Sequence, residues 1–220
     1  MSELLRIAPR RTLYEEAFAA IRDFILAGGL KAGTVMSANQ IARELGVSVT
    51  PVKAALRRLE SSGLIQVLPQ RGVRLAAFDA EDIRDIYDLR EGLETLALDL
   101  APRPFPAEPL ARMAAIVEEC EAYVRTEDRR RYTQADIRFH EILVGASGNR
   151  RLAAMFSALQ SQIQLVRLRA IVLPGRPLKS HVEHRAIVEA LGRDPDAARA
   201  LLRAHIASVK DDVLRAAAGA

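Results

Sequence analysis

The stretch from Ser37 to Leu59, SANQIARELGVSVTPVKAALRRL, decides the fold. Ile41, Ala42 and Leu45 fall at i, i+1 and i+4, and Val52, Ala55, Leu56 and Leu59 repeat the stripe after an interruption at Gly46-Val47-Ser48. The pattern predicts two amphipathic helices joined by a tight turn, a helix-turn-helix. Gly46 suits the left-handed conformation that ends the first helix, Ser48 is expected to cap the second, and Pro51 fits its first turn. Lys53, Arg57 and Arg58 lie mostly off the apolar stripe. That leaves a cationic face for phosphates, with the N-terminal residues of the second helix for base edges.

On either side, Thr12 can cap a helix carrying Leu13, Ala17, Ile21, Phe24 and Ile25, which Gly28-Gly29 ends. Leu30 to Val35 reads as an extended link, and Ser37 can cap the next helix. Leu64–Leu68 and Val73–Ala76 read as two short strands around Pro69-Gln70-Arg71-Gly72. An Arg-Gly tip suits approach to phosphate or a minor groove, and a plain surface hairpin would look the same.

These residues resemble the winged-helix domain of the GntR regulators. The matches are Ser37, Ile41-Ala42, Leu45-Gly46-Val47-Ser48, Thr50-Pro51-Val52, Ala55-Leu56-Arg57-Arg58-Leu59, Gly63-Leu64 and Arg71-Gly72, in order. The resemblance implies double-stranded operator DNA as partner, with Asn39, Ser48, Val49, Thr50, Lys53, Arg57, Arg71 and Gly72 as candidate contacts. Val49 and Lys53 stand where the family usually has Arg, as does Asn39, so a bidentate guanine contact is unavailable at Val49.

From Asp79 the texture changes. Asp79 can cap a helix with Ile83, Ile86, Tyr87, Leu93 and Ala97 as its buried stripe, and no strand signal follows. Prolines 102, 104, 106 and 109 break the chain, and helices are expected at about 107–124, 129–147, 149–171, 178–192 and 195–217. The fold class predicted is mainly α: a winged helix-turn-helix of three helices and a small β-wing over 1–76, then an all-α bundle effector domain over 77–220. Charge agrees with this division, since residues 1–76 hold 11 Lys and Arg against 6 Asp and Glu, and the remainder 21 against 22.

Of the 220 residues, 50% are hydrophobic and 27% charged, the balance of a globular protein. The single cysteine, Cys120, excludes an internal disulfide and reads as core or inert surface. The opening Met-Ser-Glu lacks the features of a signal peptide and no run is long enough to span a bilayer, so a cytoplasmic location without membrane association is expected.

Several polar groups fall on apolar faces. Arg90 and Glu94 sit mid-stripe at i, i+4, either as a structural ion pair or with Arg90 gripping a carboxylate ligand. Asp136 and His140 share a face with Phe139 and Leu143; His184 lies with Ile187 and Leu191, and His205 with Ala198, Leu202 and Val209. One inward histidine is usually a core residue, but three with an inward Asp are a set that a divalent metal would unite. His181, at the edge of its stripe, is a possible substitute or outer partner.

DIRFHEIL, Gly148-Asn149, EHRAIVEAL, RAHI and LREGLE resemble the ligand-binding domain of the FadR branch of that family. The resemblance implies an FCD-type bundle holding one divalent metal, Zn by default with Ni or Mn as alternatives, on Asp136, His140, His184 and His205. It further implies a small organic acid effector contacted by Arg90 and Asn149, and a homodimer. A turn at Gly192-Arg193-Asp194 is one residue shorter than usual and could shift His205. Two rivals are a metal sensor without organic effector and a metal-dependent hydrolase. Against the latter, HExxH is absent and Glu141 points about 100° around the helix from His140.

Overall fold

The computed structural model describes residues 12–26, 28–30, 33–167 and 173–218, and the chain divides into two compact units between Ala77 and Phe78. In the first, α1 (Leu13–Leu26), α2 (Ala38–Leu45) and α3 (Val49–Ser61) precede an antiparallel hairpin of β1 (Ile65–Leu68) and β2 (Gly72–Leu75). The register pairs Ile65 with Leu75 and Leu68 with Gly72.

Local chemistry sets each boundary. Ser37 and Gln40 form a reciprocal capping box that starts α2, with Gln40 N–H to Ser37 Oγ at 3.2 Å and Ser37 N–H to Gln40 Oε1 at 2.9 Å. Gly46 ends α2 in the left-handed region at φ 65°, as expected. Ser48 stands at the start of α3 with extended backbone, but its side chain makes no capping bond. Ile41, Ala42, Val52, Ala55, Leu56 and Leu59 are buried with Ala17, Ile21 and Ile25 of α1. Leu13 and Phe24, expected on that stripe, are exposed, because α1 presents only a narrow face to α3.

Of the link before α2, Lys31 and Ala32 lie outside the described residues. Met36 forms a bridge to Val73, with bonds of 2.9 and 2.8 Å, that adds a short third rung to the hairpin. This explains Gly72: a Cβ there would lie 2.3 Å from the Met36 carbonyl oxygen, and its φ is 123°. Gly72→Ala is therefore expected to cost about 1–3 kcal/mol through overpacking and backbone strain. A urea melt of the variant reads it, and wild-type stability would refute the close approach.

The second unit comprises α4 (Ala80–Leu100), α5 (Ala107–Arg125), α6 (Arg129–Gly145), α7 (Arg150–Arg167), α8 (Arg176–Leu191) and α9 (Pro195–Ala218). Asp79 caps α4 through Glu81 and Asp82, Asp128 caps α6, and Asp194 caps α9. The helix expected from 178 starts at Arg176, since Pro177 at its first turn needs no amide partner. The last residues of the helix expected over 149–171 lie outside the described ones. One core runs through Ile83, Tyr87, Met113, Phe139, Leu143, Phe156, Ile187, Leu202 and Val213. Cys120 is buried in it, and burial pushes its thiol up to about 12, so it is inert. Among the described residues no helix is long and apolar enough to cross a membrane.

Candidate metal centre and DNA-reading face

Three helices carry the buried polar cluster. His140 of α6, His184 of α8 and His205 of α9 each offer a ring nitrogen, all within 4.8 Å of one another. The His184 and His205 Nε2 atoms are 3.2 Å apart, and Asp136 lies 3.8 Å from both the His140 and the His184 Nε2 atoms. Asp136 thus borders the trio rather than belonging to it. Its Oδ2 accepts a bond from Arg167 of α7, while its Oδ1 is buried without a partner.

Two of the histidines are aimed by carboxylates. His140 Nδ1 donates to Glu94 Oε2 at 2.6 Å and His205 Nδ1 to Glu183 Oε2 at 2.7 Å, which leaves Nε2 as the lone-pair nitrogen of each ring. Each carboxylate is held in turn by a buried guanidinium. Arg90 Nε donates to Glu94 Oε1 at 2.7 Å, and Arg176 Nη2 to Glu183 Oε2 at 2.5 Å, with Arg176 also on Asp212, Ser180 and Ser208. Among the described residues no carboxylate bonds the His184 Nδ1 in this way, and the ring stacks on Phe139, centroids 4.2 Å apart.

The electrostatics suit a cation. Burial, then the neighbouring His205, holds His184 well below the ordinary imidazole value; burial takes His205 to about 4 despite the Glu183 bond that raises it. Neutral imidazoles are what a metal requires at pH 7. Burial alone would raise Glu94 and Asp136, but the hydrogen bonds from His140 and Arg90 hold Glu94, and the Arg167 guanidinium holds Asp136, below the usual carboxylate range. Two imidazole nitrogens on one Zn at about 2.0–2.1 Å each stand roughly 3.3 Å apart in tetrahedral geometry. The observed 3.2 Å between His184 and His205 and the partnerless Asp136 Oδ1 fit such an ion. The short turn at Gly192 does not carry His205 out of reach.

Other expected residues fall elsewhere. His181 is buried against Arg185, 3.0 Å away, within the influence of Glu121 of α5, and is not among the clustered rings. Asn149 is exposed, and its Oδ1 caps α7 through the Arg151 and Leu152 amides. Arg90 does pair with Glu94, as the structural alternative required, yet its Nη2 also reaches His140 Nε2 at 2.8 Å and its Nη1 has no partner. Arg167, Arg176 and Glu183 escaped the sequence reading. Their signal was a polar residue recurring on a buried stripe: Phe156, Gln160, Ile163, Arg167 on α7, and Arg176, Ser180, Glu183 on α8 facing Ser208 and Asp212 of α9.

In the first unit Thr50, Lys53 and Arg57 are exposed at i, i+3 and i+7 along α3. Ser48, Asn39 and Arg71 are exposed too, and Val49 is half-buried. Arg58 departs from the expected cationic face: its guanidinium lies 4.3 Å from the centroid of the Phe18 ring and bonds the Tyr14 hydroxyl at 3.4 Å, bracing α3 on α1.

Comparison with known proteins identifies both units. The family model for bacterial regulatory proteins, gntR family, matches residues 13–75, and that for the FCD domain matches residues 85–208. The chain is 30% identical over 210 residues, 92% of its length and 85% of the relative's, to the HTH-type transcriptional regulator BphR of Paraburkholderia xenovorans. It is 32% identical over 127 residues, 57% of its length and 51% of the relative's, to the gluconate operon transcriptional repressor of Bacillus subtilis. Its fold is similar to that of E. coli McbR/YncC, with TM-score 0.82 at 20% identity over 94% of this chain and 99% of that one. The chain belongs to the GntR family of bacterial regulatory proteins, with a helix-turn-helix followed by an FCD domain, and is a DNA-binding transcription regulator rather than an enzyme.

Proposed function

We propose that a divalent ion held by His140, His184, His205 and Asp136 receives a small organic acid, and that this acid controls operator binding. The observation that carries the reading is the buried trio of imidazoles backed by Glu94 and Glu183, with Asp136 Oδ1 left unpartnered beside it. When bound, the ion supplies a Lewis-acidic site for a carboxylate oxygen; Zn is the default for imidazole-rich ligation, with Ni or Mn as alternatives. Glu94 and Glu183 hold the ligand rings in one tautomer, and Arg167 keeps one oxygen of Asp136 away from the ion. Arg90 supplies the cationic fork for the acid. The gluconate operon repressor, a relative, bears the name of a small carboxylate, which agrees with this effector class.

A homodimer follows from the reading of DNA, because one α3 covers few base pairs and two reach half-sites about 34 Å apart. Acid binding must favour one of two arrangements to change operator affinity at all. Operator affinity measured with metal or chelator, and with or without a panel of small carboxylates, tests the proposal. An acid response seen only with metal supports it, and one that survives chelation contradicts it.

On the DNA side, Thr50, Lys53 and Arg57 form the reading face with Asn39, Ser48, Val49 and the wing residues Arg71 and Gly72. Lys53→Ala is expected to weaken specific binding, and Arg57→Ala to weaken binding to all sequences and lower the salt slope by about one. Anisotropy titrations at several salt concentrations separate the two, and equal operator affinity of wild type and Lys53→Ala would exclude Lys53 from the interface.

A further inference from the structure

We propose that Arg90 and the metal exclude one another at His140 Nε2, so that metal uptake frees the Arg90 guanidinium for a carboxylate and couples the two binding events. This rests on the metal-and-acid reading above and adds an order to it.

The hydrogen bonds fix the tautomer of His140. Its Nδ1 lies 2.6 Å from a Glu94 carboxylate oxygen, which can only accept, and its Nε2 lies 2.8 Å from Arg90 Nη2, which can only donate. His140 is therefore a neutral ring with its proton on Nδ1 and one in-plane lone pair on Nε2. That lone pair can accept the Arg90 bond or coordinate a cation, and not both. Coordination through the same atom removes Arg90 Nη2 from its partner.

What remains is a prepared anion grip. Arg90 stays anchored, because its Nε bond of 2.7 Å to Glu94 does not involve His140. Its Nη1 is buried with no acceptor at normal hydrogen-bond geometry, the Tyr87 ring lying 5.6 Å from the guanidinium, so release of Nη2 leaves both terminal nitrogens of the fork able to take a carboxylate. That edge is the one that binds a carboxylate by two parallel bonds. Of the buried arginines Arg90, Arg167 and Arg176, Arg90 alone has a buried guanidinium nitrogen without a partner among the described residues. Arg167 is committed to Asp136, and Arg176 to Glu183, Asp212, Ser180 and Ser208. A carboxylate on the freed fork in turn keeps Arg90 off His140, so acid and metal each tighten the binding of the other by the same factor.

The prediction has an unusual sign. Losing a neighbour of a metal ligand ordinarily weakens the metal, whereas Arg90→Met is expected to tighten Zn binding about tenfold, the scale of one charged hydrogen bond that no longer has to be broken. Arg90→Lys keeps the positive charge but has a single nitrogen, which Glu94 holds, and it too should bind Zn more tightly than wild type. Zn affinities of the three proteins, read by competition with a chelating dye, are measured without acid and again with excess acetate as a carboxylate probe. Tighter Zn binding in both variants, with acetate tightening it further by a larger factor in wild type than in either variant, supports the exchange. Zn affinity in Arg90→Met equal to or weaker than wild type overturns it, as does a lysine variant that stays at the wild-type value, which would reveal charge repulsion instead. Failure of acetate to tighten Zn in wild type overturns the coupling. Wild type that takes up no Zn overturns the metal reading itself, and so is told apart from failure of the exchange alone.

Discussion

Arg167→Met is expected to destabilise the helical unit by about 3–5 kcal/mol when no metal is supplied, a fall in melting temperature on the order of 10 °C. Asp136 is fully buried, and among the described residues the Arg167 guanidinium is the one group that hydrogen-bonds its Oδ2, while Oδ1 has no hydrogen-bond partner. Removing the cation leaves a carboxylate whose burial raises its proton affinity and whose remaining support is the pair of rings 3.8 Å away. A divalent ion on Oδ1 replaces part of the lost charge, so Zn should restore more stability to the variant than it adds to wild type. Thermal melts of both proteins with chelator and with Zn give the four values needed. Equal melting of the two chelated proteins would show that the Asp136–Arg167 pair contributes nothing.

The second large effect is on the ion itself. His184→Ala is expected to weaken Zn binding by more than the roughly 10–100-fold that loss of an outer partner costs, and Glu183→Gln to fall inside that range. His184 contributes a nitrogen 3.2 Å from that of His205, whereas Glu183 acts only by orienting His205 through Nδ1. Chelator competition ranks the two variants. A Glu183→Gln protein as impaired as His184→Ala would mean that Glu183 holds the fold of α8 against α9, and wild-type affinity in His184→Ala would remove that ring from the site.

Much of this was legible in the sequence because each signal is local. The apolar spacing over Ile41 to Leu59, the Gly46 turn and the Asp79 cap depend on neighbours within one helical turn, and each reappears in the structure. The inward faces of His140, His184 and His205 were likewise readable from their own stripes, and all three are buried together. What could not be read were the partners of charges across helices. Arg167 is 31 residues from Asp136, and Arg176 is 36 from Asp212, so no periodicity within one element announces either pair. Asn149 has a local role that the sequence reading also missed. It follows Gly148 at the start of a helix, where its side-chain oxygen satisfies the free Arg151 and Leu152 amides.

The central claim is that α6, α8 and α9 close around one divalent ion. Equilibrium dialysis of the full chain against Zn, beside a His140→Ala control, tests it most directly. The structure predicts saturable uptake of one ion per chain, a rise in melting temperature with Zn, and neither in the control. Uptake that is not saturable, or that persists unchanged in His140→Ala, would contradict it.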